Sequence, residues 1–260
     1  MTASLEPIRP ITLSEIQEAR ARIAGTVVRT PLVRLELGRG LPDVRLKLEN
    51  LQPINAYKLR GAANAVALLS EAERQRGVWT ISAGNAGQGV AYAARAAGVP
   101  CTVVAIETAP AAKLERMRAL GAHLVLVPYA VAWQALEDRS YTSVSGTFIH
   151  PFDDQNFIAG HATIGLEILE DAPDTVAVIG AIGGGGLITG VASAVKALRP
   201  EIRVWGAEPE TAAPAALSFA KGSPQAFQDW EATFVEAQAG KASSPGCGSG
   251  CSRWWTAQSW

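Results

Sequence analysis

The chain has 260 residues, a formal net charge of −1, 48% hydrophobic residues and 18% charged ones. That length buries one large core or two modest ones and excludes the disordered class. The near-neutral charge gives no electrostatic case for nucleic acid or an anionic membrane.

Met1 to Pro7 carries neither a basic leader nor an apolar core, and no run approaches the roughly 18–20 apolar residues of a membrane span. Three cysteines, Cys101, Cys247 and Cys251, are too few for a disulfide framework and suit a reducing cytoplasm.

In chain order, Thr12-Leu13-Ser14-Glu15 predicts a capping box opening a helix with Ile16, Ala19 and Ile23 on one face. Thr30-Pro31 breaks it, and Val44–Glu49 alternates as a half-buried strand. Strands are then predicted at Val78–Ile81, Thr102–Ile106 and Leu124–Val127. They alternate with helices at Leu59–Ala72, Gly87–Ala97 and Ala111–Leu120, which end on glycine signals such as Gly98 and Gly121-Ala122. The rhythm is lost over Ala130–Pro151. It returns as strand Thr175–Ile182, helix Leu187–Leu198 and strand Ile202–Ala207. Continuous apolar strands alternating with helices predict an α/β protein with parallel sheets covered on both faces. From about Gln238 the chain becomes rich in Gly, Ser, Cys and Trp, with no helical or strand period. It reads as an irregular tail, in which Cys247 and Cys251 lack the further ligands of a zinc site.

Three segments carry chemistry. Gly183-Gly184-Gly185-Gly186-Leu187 joins a buried strand to a helix, so its N–H groups can converge on a phosphate. Ser82-Ala83-Gly84-Asn85 follows a strand and opens a small-residue helix, a place for a carboxylate. Read by itself, the segment is equally a helix cap. Lys58 has apolar and aromatic neighbours, and Gly61-Ala62-Ala63 lets a helix lie close beside it. Partial desolvation there favours the neutral amine and Schiff-base chemistry. A rival reading takes Gly184, Gly186 and Gly190, with Glu208 beyond them, as an approximate dinucleotide fingerprint. His123, His150 and His161 read as structural, and no nucleophile elbow accompanies them.

Together these segments resemble the fold-type II pyridoxal-phosphate enzymes, and within them the threonine/serine dehydratases (ammonia-lyases). The similarity runs from Thr30-Pro31-Leu32 to Glu208-Pro209-Glu210. It includes Lys47-Leu48-Glu49-Asn50-Leu51-Gln52, the Lys113–Ala122 segment and Thr163-Ile164-Gly165-Leu166-Glu167-Ile168. The resemblance implies a tryptophan synthase β-like fold of two domains with parallel-rich, twisted, helix-flanked sheets. A large domain over 1–50 and 151–237 would bind the cofactor, a small domain over 51–150 would carry the lysine, and 238–260 would be the tail. It implies pyridoxal 5'-phosphate as cofactor, with Lys58 as the Schiff-base lysine and Asn85 bonding the ring hydroxyl. Gly183, Gly184, Gly185, Gly186 and Leu187 would hold the phosphate. Ser82, Ala83, Gly84 and Asn85 would hold the carboxylate of a small amino-acid substrate.

The implied reaction is β-elimination from L-threonine or L-serine to a 2-oxo acid and ammonia, in a cytoplasmic homo-oligomer. The alternatives are a cofactor-binding chain without turnover, a hydroxyaspartate-type lyase, or another lyase of the fold. Four departures stand out. Ala86 replaces a frequent histidine, and Ala83 replaces the second serine of serine racemases. Pro214 occupies the position of an acid that joins one like Glu208 at a divalent cation in some relatives, so no metal is expected. Relatives also continue through further strands and helices, including a partner for the pyridine nitrogen, so the C-terminus reads as truncated.

Overall fold

A computed structural model describes residues 8–228, 231 and 256–259. The chain divides into two compact units, one of 1–20, 150–166 and 174–260, the other of 21–149 and 167–173.

The first unit opens on α1 (Leu13–Ile23). Its capping box forms as predicted: the Thr12 N–H donates to Glu15 Oε2 at 2.9 Å, and the Glu15 N–H donates to Thr12 Oγ1 at 3.4 Å. Ile11, Ile16 and Ala19 pack on Ile158, Ala162, Leu166 and Ala194, so α1 buries its apolar stripe against α7 (Gln155–Asp171) and α8 (Gly186–Leu198). β7 (Ala177–Ala181) and β8 (Arg203–Glu208) run parallel with Val178 opposite Val204, and α9 (Pro214–Lys221) follows.

One expectation changes here. Residues 256–259, inside the expected irregular tail, form β9 (Thr256–Ser259), parallel to β8. Cys247 and Cys251 lie outside the described residues. Among the described residues, α8 lies against one face of this sheet. Gly180 approaches Ile188 of α8, whereas Ile179, which faces the other way, is 57% exposed.

The second unit holds an antiparallel ribbon, β1 (Leu32–Leu35) with β2 (Val44–Lys47), then a 3-10 turn at Glu49–Leu51. A four-stranded parallel sheet follows in the order β5-β4-β3-β6. Its strands are β3 (Val78–Ile81), β4 (Cys101–Ile106), β5 (His123–Val127) and β6 (Thr147–Phe148). The helices are α2 (Lys58–Ala67), α3 (Glu71–Arg76), α4 (Asn85–Ala96), α5 (Ala111–Ala119) and α6 (Tyr129–Asp138). The single helix expected over Leu59–Ala72 is two. α2 ends at Ala67, and Ser70 and Glu73 form a reciprocal capping box that starts α3. The segment that loses the rhythm contains α6 and β6. Thr147 pairs beside Val78, and the Phe148 ring lies 4.4 Å from that of Trp79.

Candidate active site

Lys58 is the first residue of α2, and the eight residues Leu59 to Val66 behind it are buried. Its backbone is clasped by α4, since a Cβ on Gly89 would stand 3.2 Å from Lys58 O. Lys58 Nζ lies 5.3 Å from the centre of the Tyr57 ring. Desolvation lowers the amine from 10.5 to about 8 and raises the Tyr57 phenol to about 12. A lysine tuned this way is neutral far more often at pH 7 than an ordinary lysine, about a tenth of the time, and the neutral form is the one that adds to an aldehyde.

The Ser82–Asn85 turn leaves the carboxyl end of β3, a central strand, where open parallel sheets place ligands. Ser82 N–H still joins the ladder, donating to Val104 O at 3.0 Å. Its hydroxyl accepts from the Gly84 N–H at 3.1 Å. α4 begins after Gly84 with no side-chain cap, so its first N–H groups are available for an anion. A Cβ at Gly84 would meet nothing within 4 Å. Asn85 is exposed at the head of the helix. Flanking the turn, Thr80 Oγ1 and Gln88 Oε1 are buried without a hydrogen-bond partner among the described residues. Unmet buried polar atoms beside an uncapped helix start are the pattern of a site that takes a polar ligand.

In the first unit, the glycine turn follows β7 and opens α8. Gly185, at φ +84°, is the left-handed N-cap and gives no side-chain cap. The Thr189 N–H closes the first helical bond to Gly185 O at 3.0 Å. The N–H groups of Gly186, Leu187 and Ile188 therefore have no partner within the helix. The glycines at 184 and 186 have a packing reason that the sequence does not reveal. A Cβ at Gly184 would run into the Phe152 ring, and one at Gly186 would come 2.6 Å from Phe152 O. Lys58 and Ser82–Asn85 thus share one unit, and Gly183–Leu187 belong to the other.

Sequence reading missed the charged cluster behind Lys58. Arg60 is fully buried and bonds both Glu49 and Glu167. Glu49 and Glu167 each stood in a legible motif, but the 107 positions between Arg60 and Glu167 hid their pairing. Glu208 has a packing role. Its carboxylate accepts from the Ala215 and Ala216 N–H groups at 3.1 and 2.8 Å, at the start of α9. Burial nonetheless raises its pKa. Among the described residues no group of three or more His, Cys, Asp or Glu could hold a metal ion, and no helix is long and apolar enough to cross a membrane.

In one unit an amine tuned toward neutrality and an uncapped helix start suit an aldehyde and a carboxylate, and in the other an uncapped helix start suits a phosphate. Known proteins agree. The pyridoxal-phosphate dependent enzyme family model matches residues 23–247. An L-threonine ammonia-lyase from Thermotoga maritima is 45% identical over 206 residues, 77% of this chain and 51% of the relative. A catabolic L-threonine dehydratase from Staphylococcus aureus is 38% identical over 224 residues, 85% of this chain and 65% of the relative. The chain thus spans about half to two thirds of the length of these relatives. Among solved structures, serine racemase from Dictyostelium discoideum superposes with a TM-score of 0.82 at 34% identity, covering 92% of this chain and 77% of its own. Maize serine racemase superposes at 0.75 and 36%, covering 82% and 66%, and a threonine deaminase of T.th. at 0.80 and 36%, covering 91% and 78%. The chain belongs to the pyridoxal-phosphate dependent enzyme family.

Proposed function

We propose that the chain takes pyridoxal 5'-phosphate and eliminates water from L-threonine or L-serine, yielding a 2-oxo acid and ammonia. The reading rests on Lys58, an amine lowered to about 8 at the head of α2, in the unit that also carries the uncapped Ser82–Asn85 turn. The names of the similar proteins support it.

When bound, the cofactor supplies an electron-poor ring that stabilises negative charge at the substrate Cα. Lys58 Nζ would hold the cofactor through its aldehyde, and the amine, freed when substrate binds, would take the substrate Cα proton. The first N–H groups of α4 bind the substrate carboxylate, with the Ser82 hydroxyl fixing the turn. Asn85 would hold the cofactor ring through its side-chain amide. The N–H groups of the glycine turn would hold its phosphate. The Cα proton and the β-hydroxyl leave as water, and hydrolysis of the remaining C–N bond gives the oxo acid and ammonia. Ala83 supplies no hydroxyl for proton return from the opposite face, which favours elimination over racemisation.

The test is a visible spectrum of the purified chain with added pyridoxal phosphate, before and after L-threonine, with ammonia assayed. The expected result is a band that requires Lys58, shifts with threonine and accompanies ammonia release. Normal oxo-acid formation by Lys58→Ala refutes the assignment of Lys58. A Lys58-dependent band with no ammonia from threonine, serine or hydroxyaspartate refutes elimination and leaves cofactor binding alone.

A further inference from the structure

No side-chain cap fixes the first turn of α2. Tyr57 enters the helix in right-handed backbone, and its side chain makes no cap bond. Two residues earlier, Asn55 sits in the left-handed region at φ 59°. The anchor lies behind the turn, at Arg60. Its guanidinium grips Glu49 through Nε and Nη2, each at 2.8 Å. It grips Glu167 through Nη1 at 2.7 Å and Nη2 at 2.8 Å, and reaches Val28 O at 3.3 Å. Only a planar fork can hold two carboxylates in this way.

Both carboxylates are held in turn. Glu49 accepts from the Thr30 hydroxyl at 2.6 Å and from Gln52 Nε2 at 3.2 Å. Glu167 lies 2.6 Å from Lys47 Nζ, which also donates to Thr30 O at 2.6 Å and stands 3.7 Å from Asp171. Arg29 pairs with Asp171 and Glu170 at the exposed margin. In the buried centre, the charges of Lys47 and Arg60 balance those of Glu49 and Glu167. Buried ion clusters add little stability over an apolar core; their better-attested use is to select one arrangement.

We propose that Arg60, clamped between Glu49 and Glu167, is a positioning residue that sets where Lys58 presents its amine. It acts through the backbone of one helical turn and touches no ligand. The proposal deepens the reading of Lys58 as the cofactor-bearing amine and rests on it.

The test uses Arg60→Lys, which keeps the charge but loses the fork, Glu167→Gln, which keeps the shape but loses a charge, and Glu49→Gln. Each variant is checked for a cooperative thermal transition. Two readouts follow: pyridoxal phosphate affinity from the visible band, and the acetylation rate of Lys58 in the cofactor-free chain by peptide mass spectrometry. Lys221, which is exposed, is the internal reference. The expected result is weaker cofactor binding by about ten- to a hundredfold, the penalty of a misplaced reacting group. Lys58 acetylation should also change while that of Lys221 does not, and Arg60→Lys should fail to rescue either readout. If Arg60→Lys does not fold, the two carboxamide variants decide. Folded variants that melt earlier but match the parent in Lys58 acetylation and cofactor affinity overturn the proposal, leaving the cluster purely structural. If the parent takes up no cofactor, the functional reading fails, whereas the acetylation comparison still decides the role of Arg60.

Discussion

Replacing Gly89 with alanine should separate the placement of Lys58 from the stability of the fold. Gly89 lies inside α4, where alanine is favoured over glycine by about 0.8–1 kcal/mol. The new Cβ would stand 3.2 Å from Lys58 O, 3.3 Å from Lys58 C and 3.4 Å from Ala62 Cβ. α2 and α4 must therefore part slightly. This strain falls below the roughly 1–3 kcal/mol of full overpacking. The two effects nearly cancel, leaving the melting temperature within about 4 °C of the parent. The displacement falls on the Lys58 backbone, however, and reacting groups tolerate only about 0.5 Å. Pyridoxal phosphate affinity, titrated by the visible band, should drop at least about tenfold. A variant that binds the cofactor like the parent refutes the idea that the α2–α4 contact locates Lys58. One that loses several kcal/mol in urea refutes the cancellation.

Acetylation of Lys58 should be half-maximal near pH 8 and that of exposed lysines about two and a half units higher; a shared midpoint would show that Lys58 is not desolvated. Because the folded pKa is depressed, the unfolded chain binds more protons between about pH 8 and 10.5, so Lys58 makes stability rise with pH across that window. Urea unfolding of Lys58→Met should lack this rise. Gly184→Ala, whose Cβ runs into the Phe152 ring, should cost about 1–3 kcal/mol by the same urea assay. On a Phe152→Ala background the cost should shrink, and equal costs would remove Phe152 as its cause. At the start of α1, Arg9 and Thr12 lower Glu15 to about 2. Its contribution is complete above about pH 4.5 and is lost as pH falls through about 2. Glu15→Ala should therefore cost about 1 kcal/mol at neutral pH, and thermal melts should show that difference fading in acid.

What the sequence made legible was local. The Thr12–Glu15 box, the strand runs ending at Ile81 and Ile182 and the glycine turn all announce themselves within a few residues, because caps, periods and turns are short-range. The break between α2 and α3 was equally readable in Ser70-x-x-Glu73, yet the apolar run through Leu69 obscured it. β6 escaped because two residues carry no period; pairing with Val78 and Trp79, nearly 70 positions away, defines it. For the same reason neither Phe152 beneath the glycines nor Glu167 against Arg60 could be foreseen. The glycine turn was expected to be bare for a ligand, and part of its bareness serves the neighbouring side chain.

The contact from Phe152 bears on timing. A loop that must fold over an incoming anion adds a slow step and an ordering cost to each encounter. Gly184 and Gly186 lie too close to Phe152 for the turn to rearrange toward that residue, and Gly185 is already in the left-handed conformation that starts α8. The phosphate seat proposed at this turn is thus set when the chain folds, before any ligand arrives. Phosphate capture at this turn should proceed as a single bimolecular phase, its rate proportional to ligand concentration with no plateau.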